Sequence, residues 1–211
     1  MGETYKKVRQ VRSDKKRDVK PFVSQKYYEF ISTMSYVTLR PIKDIAEELS
    51  LRGLRSKVVI EHVSKSFKRD YYMGDTIIYI GDETLETSRT RRIVGKKSRV
   101  SMRFSQRDYE DLSSFAYALD MTIGSAASLL LEETISESQI VHSILKDYIS
   151  GSLEPQRLKH LSQLYKELRK SNDSDEVLTF SHFVLGLFDE LRATQHNFIN
   201  KINRWIDEHI D

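Results

Sequence analysis

Cysteine is absent from all 211 residues, which excludes disulfides and thiolate-bound metals and points to a reducing, cytoplasmic compartment. Long apolar runs are also missing. None approaches the roughly 20 residues that span a bilayer, and the N-terminus lacks the apolar stretch of a signal peptide, so a soluble protein with no membrane partner is expected. There is no glycine-rich phosphate loop and no nucleophile elbow, and His62, His142, His160, His182, His196 and His209 show no metal-ligand pairing at helical spacing. Asp82, Glu83 and Glu86 gather in one polar stretch, where solvation is the simpler role than cation binding. No catalytic residue, metal or cofactor is therefore expected, and enzyme classes rank last.

One further absence is local. Between Arg89 and Arg107 there are eight Lys/Arg and no acid at all. Residues 1–22 hold eight basic residues against three acids, whereas from residue 137 onward nine basic face twelve acidic residues. The net charge of +3 thus hides a segregation, and a polyanion is the expected partner of the first two thirds. With 39% hydrophobic residues, the chain suits globular modules.

The second basic run leads into "SRVSMRFSQRDYEDLSSFAYALDMTIGSAASLLLEETI", residues 98–135. Strict alternation over Arg99 to Phe104 puts Val100, Met102 and Phe104 on one face of a strand and Arg99, Ser101 and Arg103 on the other. Ser105 is a good N-cap for a helix with Leu112, Phe115, Ala116 and Leu119 on its apolar face. Thr122 can cap the next, where Ile123, Ala126, Ala127, Leu130 and Leu131 recur at three- and four-residue spacing. A strand and two helices in so few residues cannot bury a core alone, so the unit must pair with something.

This stretch resembles the ribbon-helix-helix family of DNA-binding proteins over essentially all of 98–135. The resemblance implies a homodimer or higher homo-oligomer, in which two chains contribute one strand each to an antiparallel ribbon that enters the major groove of double-stranded DNA. It implies that Arg99, Ser101 and Arg103 touch base edges while Val100, Met102 and Phe104 seal the dimer core. Arginine can bond guanine through two atoms, and a two-stranded ribbon is narrow enough for the groove. Thr122, Gly124 and Ser125 fall at a helix start, where free N–H groups can hold a phosphate. Lys96 and Lys97, just before the strand, add unspecific grip.

Residues 1–20 are polar and read as a flexible basic arm. Residues 21–82 resemble a winged helix-turn-helix: a helix with Phe30, Ile31 and Met34, a short "YVTL" strand, "PIKDIAEEL" as the next helix, "SLRGLR" as a turn, a helix with Val59, Ile60, Val63 and Phe67 inward, and a hairpin around Gly74 and Asp75. That resemblance implies a second DNA-contacting helix through Ser56, Lys57, Ser64, Lys65 and Lys68. The competing account is an internal repeat. Shifted by 81 positions, Val19, Ser24, Gln25, Tyr28, Glu29, Ser32, Tyr36, Ile42, Ala46 and Leu49 meet identical residues between Val100 and Leu130. It makes residues 17–54 a degenerate second ribbon-helix-helix, with Pro21 inside its strand and Phe22 in place of Arg103 on the outward face. The winged helix is preferred, because the repeat leaves the helix and hairpin of 55–80 unexplained.

Residues 83–97 read as a basic linker, and 136–211 as a helical assembly domain. In its last helix Phe180, Val184, Leu187, Leu191, Phe198, Ile202 and Trp205 form a seam with four-three spacing. The expected fold is thus mainly α with short β, in modules at 21–82, 98–135 and 136–211. The expected function is sequence-specific DNA binding. Large members of the family resemble plasmid-borne accessory factors that mark an origin of transfer, with a relaxase or other protein docking through 136–211. Repressor, partition and replication-initiation proteins are the alternatives, and an antitoxin or protein-interaction adaptor is the alternative of another class.

Overall fold

The computed structural model describes residues 16–86, 90, 92–148 and, further on, 157, 160, 161, 163, 164 and 166. Within them the chain is mainly helical, with three short antiparallel strand pairs. Strands β1 (Arg17–Val19) and β2 (Phe22–Ser24) lead into α1 (Gln25–Thr38), α2 (Ile42–Arg55) and α3 (Lys57–Ser64). A hairpin of β3 (Tyr71–Met73) and β4 (Ile77–Tyr79) follows. The second half runs through β5 (Lys97–Arg99), β6 (Met102–Phe104), α4 (Gln106–Ala118), α5 (Ile123–Ser136) and α6 (Ser138–Tyr148). No single helix among the described residues is long and apolar enough to cross a membrane.

The strand expected to meet its counterpart in a second chain pairs within its own. β6 lies antiparallel to β1 and β5 to β2 in one register: Arg17 faces Phe104, Val19 faces Met102, Phe22 faces Arg99 and Ser24 faces Lys97. The break at Lys20–Pro21 has a simple cause. Proline has no N–H to donate, yet its carbonyl still accepts from the N–H of Val100 at 3.1 Å, so one ladder bond is lost and the register continues. Residues 17–19, read as the end of an arm, are thus part of one ribbon strand. Val19 and Val23 point inward with Val100, Met102 and Phe104, as a two-residue period requires.

The helices repeat the same displacement. α1 and α4, α2 and α5, and α3 and α6 each begin 81 positions apart, at Gln25 and Gln106, Ile42 and Ile123, Lys57 and Ser138. The helix-helix turns match too, since Leu39 and Asp120, also 81 apart, both adopt the left-handed conformation, with φ of 58° and 55°. Such angles are rare outside glycine, so their recurrence marks one turn used twice. Several identities now have a role. Gln25 and Gln106 each donate to the glutamate four residues on, at 2.8 and 2.7 Å. Each also accepts across the ribbon, from Ser98 and Arg17 respectively, at 2.9 Å.

The winged-helix order is corrected at two elements. Tyr36 to Thr38 of "YVTL" form the last turn of α1 rather than a strand, and "SLRGLR" continues α2 to Arg55, leaving Ser56 alone between α2 and α3. The extension is held by packing, with Gly53 and Leu54 buried. Residues from Val19 to Leu164, including Val141, Ile144 and Leu145 of α6, share one hydrophobic core. The boundaries expected at 82/83, 97/98 and 135/136 therefore do not separate cores. The seam from Phe180 to Trp205 lies outside the described residues.

α2 and α5 cross at equivalent positions. A Cβ on Gly53 would lie 2.0 Å from Oγ1 of Thr134, its counterpart 81 residues on, and 3.1 Å from Cδ1 of Leu130. Thr134 is buried and its hydroxyl donates to the Leu130 carbonyl at 2.7 Å, so it cannot swing away freely. Gly53→Ala is expected to destabilise the fold by about 1 to 3 kcal/mol through overpacking. Thr134→Ala in the same chain should recover part of that loss, as a double-mutant cycle of denaturant midpoints will measure.

The hairpin closes the other side of the core. The Phe67 and Tyr71 rings each lie 5.9 Å from Phe115 of α4, and Tyr79 packs on both of them. Burial, with the Asp111 and Tyr79 charges adding to it, pushes the Tyr71 hydroxyl up to about 12. A folded value above the unfolded one of about 10 contributes stability that is complete below that pH and lost as pH rises towards 12. Denaturation across this window should show a decline that is shallower in Tyr71→Phe.

Candidate nucleic-acid interface

The ribbon has one buried and one open face, and the open one carries the candidate base-contacting residues. Arg99, Ser101 and Arg103 are all exposed, alternating with buried Val100, Met102 and Phe104. The partner strand offers Asp18, Lys20 and Phe22 on the same side, all exposed. These three were not among the candidate residues. The signal that finds them is the 81-residue shift, which aligns them with Arg99, Ser101 and Arg103.

The outward pairs are close because of where they fall in the ladder. Pro21 and Val100 form a hydrogen-bonded pair, so Asp18 with Arg103 and Phe22 with Arg99, an odd number of positions away, are non-hydrogen-bonded pairs. Side chains approach most closely at such positions. Arg103 Nε accordingly donates to Asp18 Oδ1 at 2.9 Å. At the other end the Arg99 guanidinium lies 4.5 Å and the Lys97 ammonium 4.9 Å from the centroid of the Phe22 ring, within cation–π range.

The candidate phosphate contacts divide into two groups. Lys97, Thr122, Gly124 and Ser125 come together around a surface hollow of about 240 Å³, joined by Lys20 and Phe22 of the partner strand. Thr122 caps α5 by accepting from the Ser125 N–H at 3.2 Å, and Ser128 ties α5 to the ribbon by donating to the Phe22 carbonyl. A Cβ on Gly124 would point into open space, at a helix end whose N–H groups favour negative charge. Lys96 is exposed beside the strand, and its carbonyl accepts from the Gln25 N–H at 3.0 Å.

The matching end of α2 is built differently. Pro41 replaces Thr122 and provides no side-chain cap, Asp44 sits where Ser125 does, and Lys16, the counterpart of Lys97, pairs with Glu47 at 3.2 Å. The first turn of α5 is thus uncharged beside Lys20 and Lys97, whereas that of α2 carries exposed Lys43 together with Asp44, which lies 4.0 Å from Arg40.

The second set of candidates, on α3, stands on another element. α3 packs on α2 and α5 through Val59, Ile60 and Val63. Ser56 accepts from the Val59 N–H as a cap, Ser64 donates to the Glu61 carbonyl, and Lys57 lies 3.8 Å from Glu61. Lys65 is exposed and Lys68 half-buried. Among the described residues no three His, Asp or Glu side chains converge as a metal site. Asp82 accepts from both the hydroxyl and the N–H of Thr84, which hold its carboxyl below the usual range.

No family model matches this chain, and neither the curated proteins nor the solved structures contain a significant match to it. The Thr122 cap can be weighed directly. Thr122→Ala is expected to lower stability by about 1 kcal/mol, read as a shift in the thermal midpoint.

Proposed function

We propose that this protein binds double-stranded DNA in a sequence-specific way, with the ribbon of residues 17–24 and 97–104 as its reading element. The observation that carries the proposal is the open ribbon face, where Arg99, Arg103, Ser101 and Lys20 stand clear of a core sealed by Val100, Met102 and Phe104. A two-stranded ribbon fits the major groove, and arginine is the commonest reader of guanine edges there. The hollow beside α5, with Lys20 and Lys97 at its rim, suits a phosphate of the flanking backbone. This is the arrangement expected of a ribbon-helix-helix protein, with both strands supplied by one chain.

Within that class we favour a plasmid accessory factor that marks an origin of transfer, because the hairpin of residues 71–79 and the chain beyond α6 are more than a minimal reader needs. Further self-association, or docking of a relaxase, would then involve the segment after residue 148. The repressor, partition, replication-initiation and adaptor alternatives differ in process, and the identity of the selected DNA separates them.

Arg103→Ala should lose about 1 to 3 kcal/mol on the selected site and relax the preference at one base pair. Lys97→Ala should instead weaken selected and random duplexes alike and flatten the salt slope by about one unit. Fluorescence anisotropy titrations at several salt concentrations measure both. Equal affinity of Arg103→Ala and the unaltered protein on both duplexes would remove the ribbon as the reader.

A further inference from the structure

The outward face of the ribbon is symmetric in backbone and unlike in chemistry. Residues Lys20 and Ser101 are equivalent under the 81-residue shift and also face each other in the common register, so the local two-fold axis passes between them. On either side of that axis a two-chain ribbon would present identical side chains and read a palindrome. Here Asp18 stands where the other strand has Arg99, and Phe22 where it has Arg103.

We infer that a single chain reads a site without dyad symmetry, one end taking guanine through Arg103 and the other a thymine methyl through Phe22. The inference rests on the DNA-binding reading above and adds to it which bases each end takes. At the first end, the Asp18 carboxylate engages Nε of Arg103 at 2.9 Å. That contact uses one of five guanidinium N–H groups and steadies the plane, leaving the terminal nitrogens for O6 and N7 of guanine. The carboxylate also disfavours any shift of Arg103 towards a phosphate, since it would follow into like charge.

At the second end, Phe22 is 39% exposed. An aromatic ring cannot donate the base-edge hydrogen bonds that arginine donates. The apolar feature that a base pair shows in the major groove is the C5-methyl of thymine. Arg99 and Lys97 lie over the ring, so the cations at this end are gathered around the apolar contact rather than opposed by a carboxylate. The Ser128 bond to the Phe22 carbonyl fixes the backbone from which the ring projects.

The test is selection of bound fragments from a random duplex pool with the full chain, followed by replacement of each selected thymine by deoxyuridine, which deletes only the methyl group. The expected motif lacks dyad symmetry, carries a guanine at one end and a thymine at the other, and binds one chain per ribbon site in native mass spectrometry. Deoxyuridine at that thymine should weaken binding about fourfold, the value of one buried methyl-sized group, and Phe22→Ala should bind both duplexes equally. A palindromic motif, or no thymine sensitive to methyl loss, overturns this inference while leaving DNA binding intact. Failure to enrich any motif overturns the DNA-binding reading itself, and this one with it.

Discussion

The antiparallel pairing of residues 17–24 with 97–104 is the constraint on which the rest depends. It joins the two halves of the chain, sets one face of six alternating residues against the helices, and decides which outward side chains become neighbours. The helices then follow the strands, with α2 and α5 crossing at Gly53 and Thr134 close to the axis that relates the halves. Removing the side chain at one of these two equivalent positions is what lets the other keep its hydroxyl. Where these two equivalent positions meet, the copies therefore have to differ.

That divergence explains the distribution of charge. The identical residues Gln25 and Gln106 perform the same scaffold contacts on both sides. The copies differ on the outward ribbon face, where Asp18, Lys20 and Phe22 stand against Arg99, Ser101 and Arg103, and at the starts of α2 and α5. At the α2 start Pro41, Lys43 and Asp44 stand where α5 has Thr122, Gly124 and Ser125, and Lys16 is held by Glu47 where Lys97 lies over the Phe22 ring. An asymmetric surface on a symmetric frame is what two diverged copies in one polypeptide can supply and two identical chains cannot.

Much of this was legible in the residues themselves. Alternation at Val100, Met102 and Phe104 specified a one-sided strand, and Ser105 and Thr122 marked the helix starts, because these signals act over a few residues. The partner strand was harder to see. Pro21 argued against a strand although it removes only one ladder bond, and Phe22 broke the cationic pattern. "SLRGLR" looked like a turn because glycine and serine favour one locally, whereas Gly53 is small for the sake of a neighbour 81 residues away. The Asp18–Arg103 and Phe22–Arg99 contacts depend on register, which no short window of sequence contains.

Closing the ribbon inside one polypeptide also changes its dependence on dilution. A two-chain ribbon comes apart as protein concentration falls below its dissociation constant, and its occupancy rises with the square of subunit concentration. Here the two strands are tethered through the intervening helices and hairpin, so their encounter is governed by an effective concentration that the chain itself sets. The element is present in full at a few molecules per cell, and mass action enters only when something binds to it.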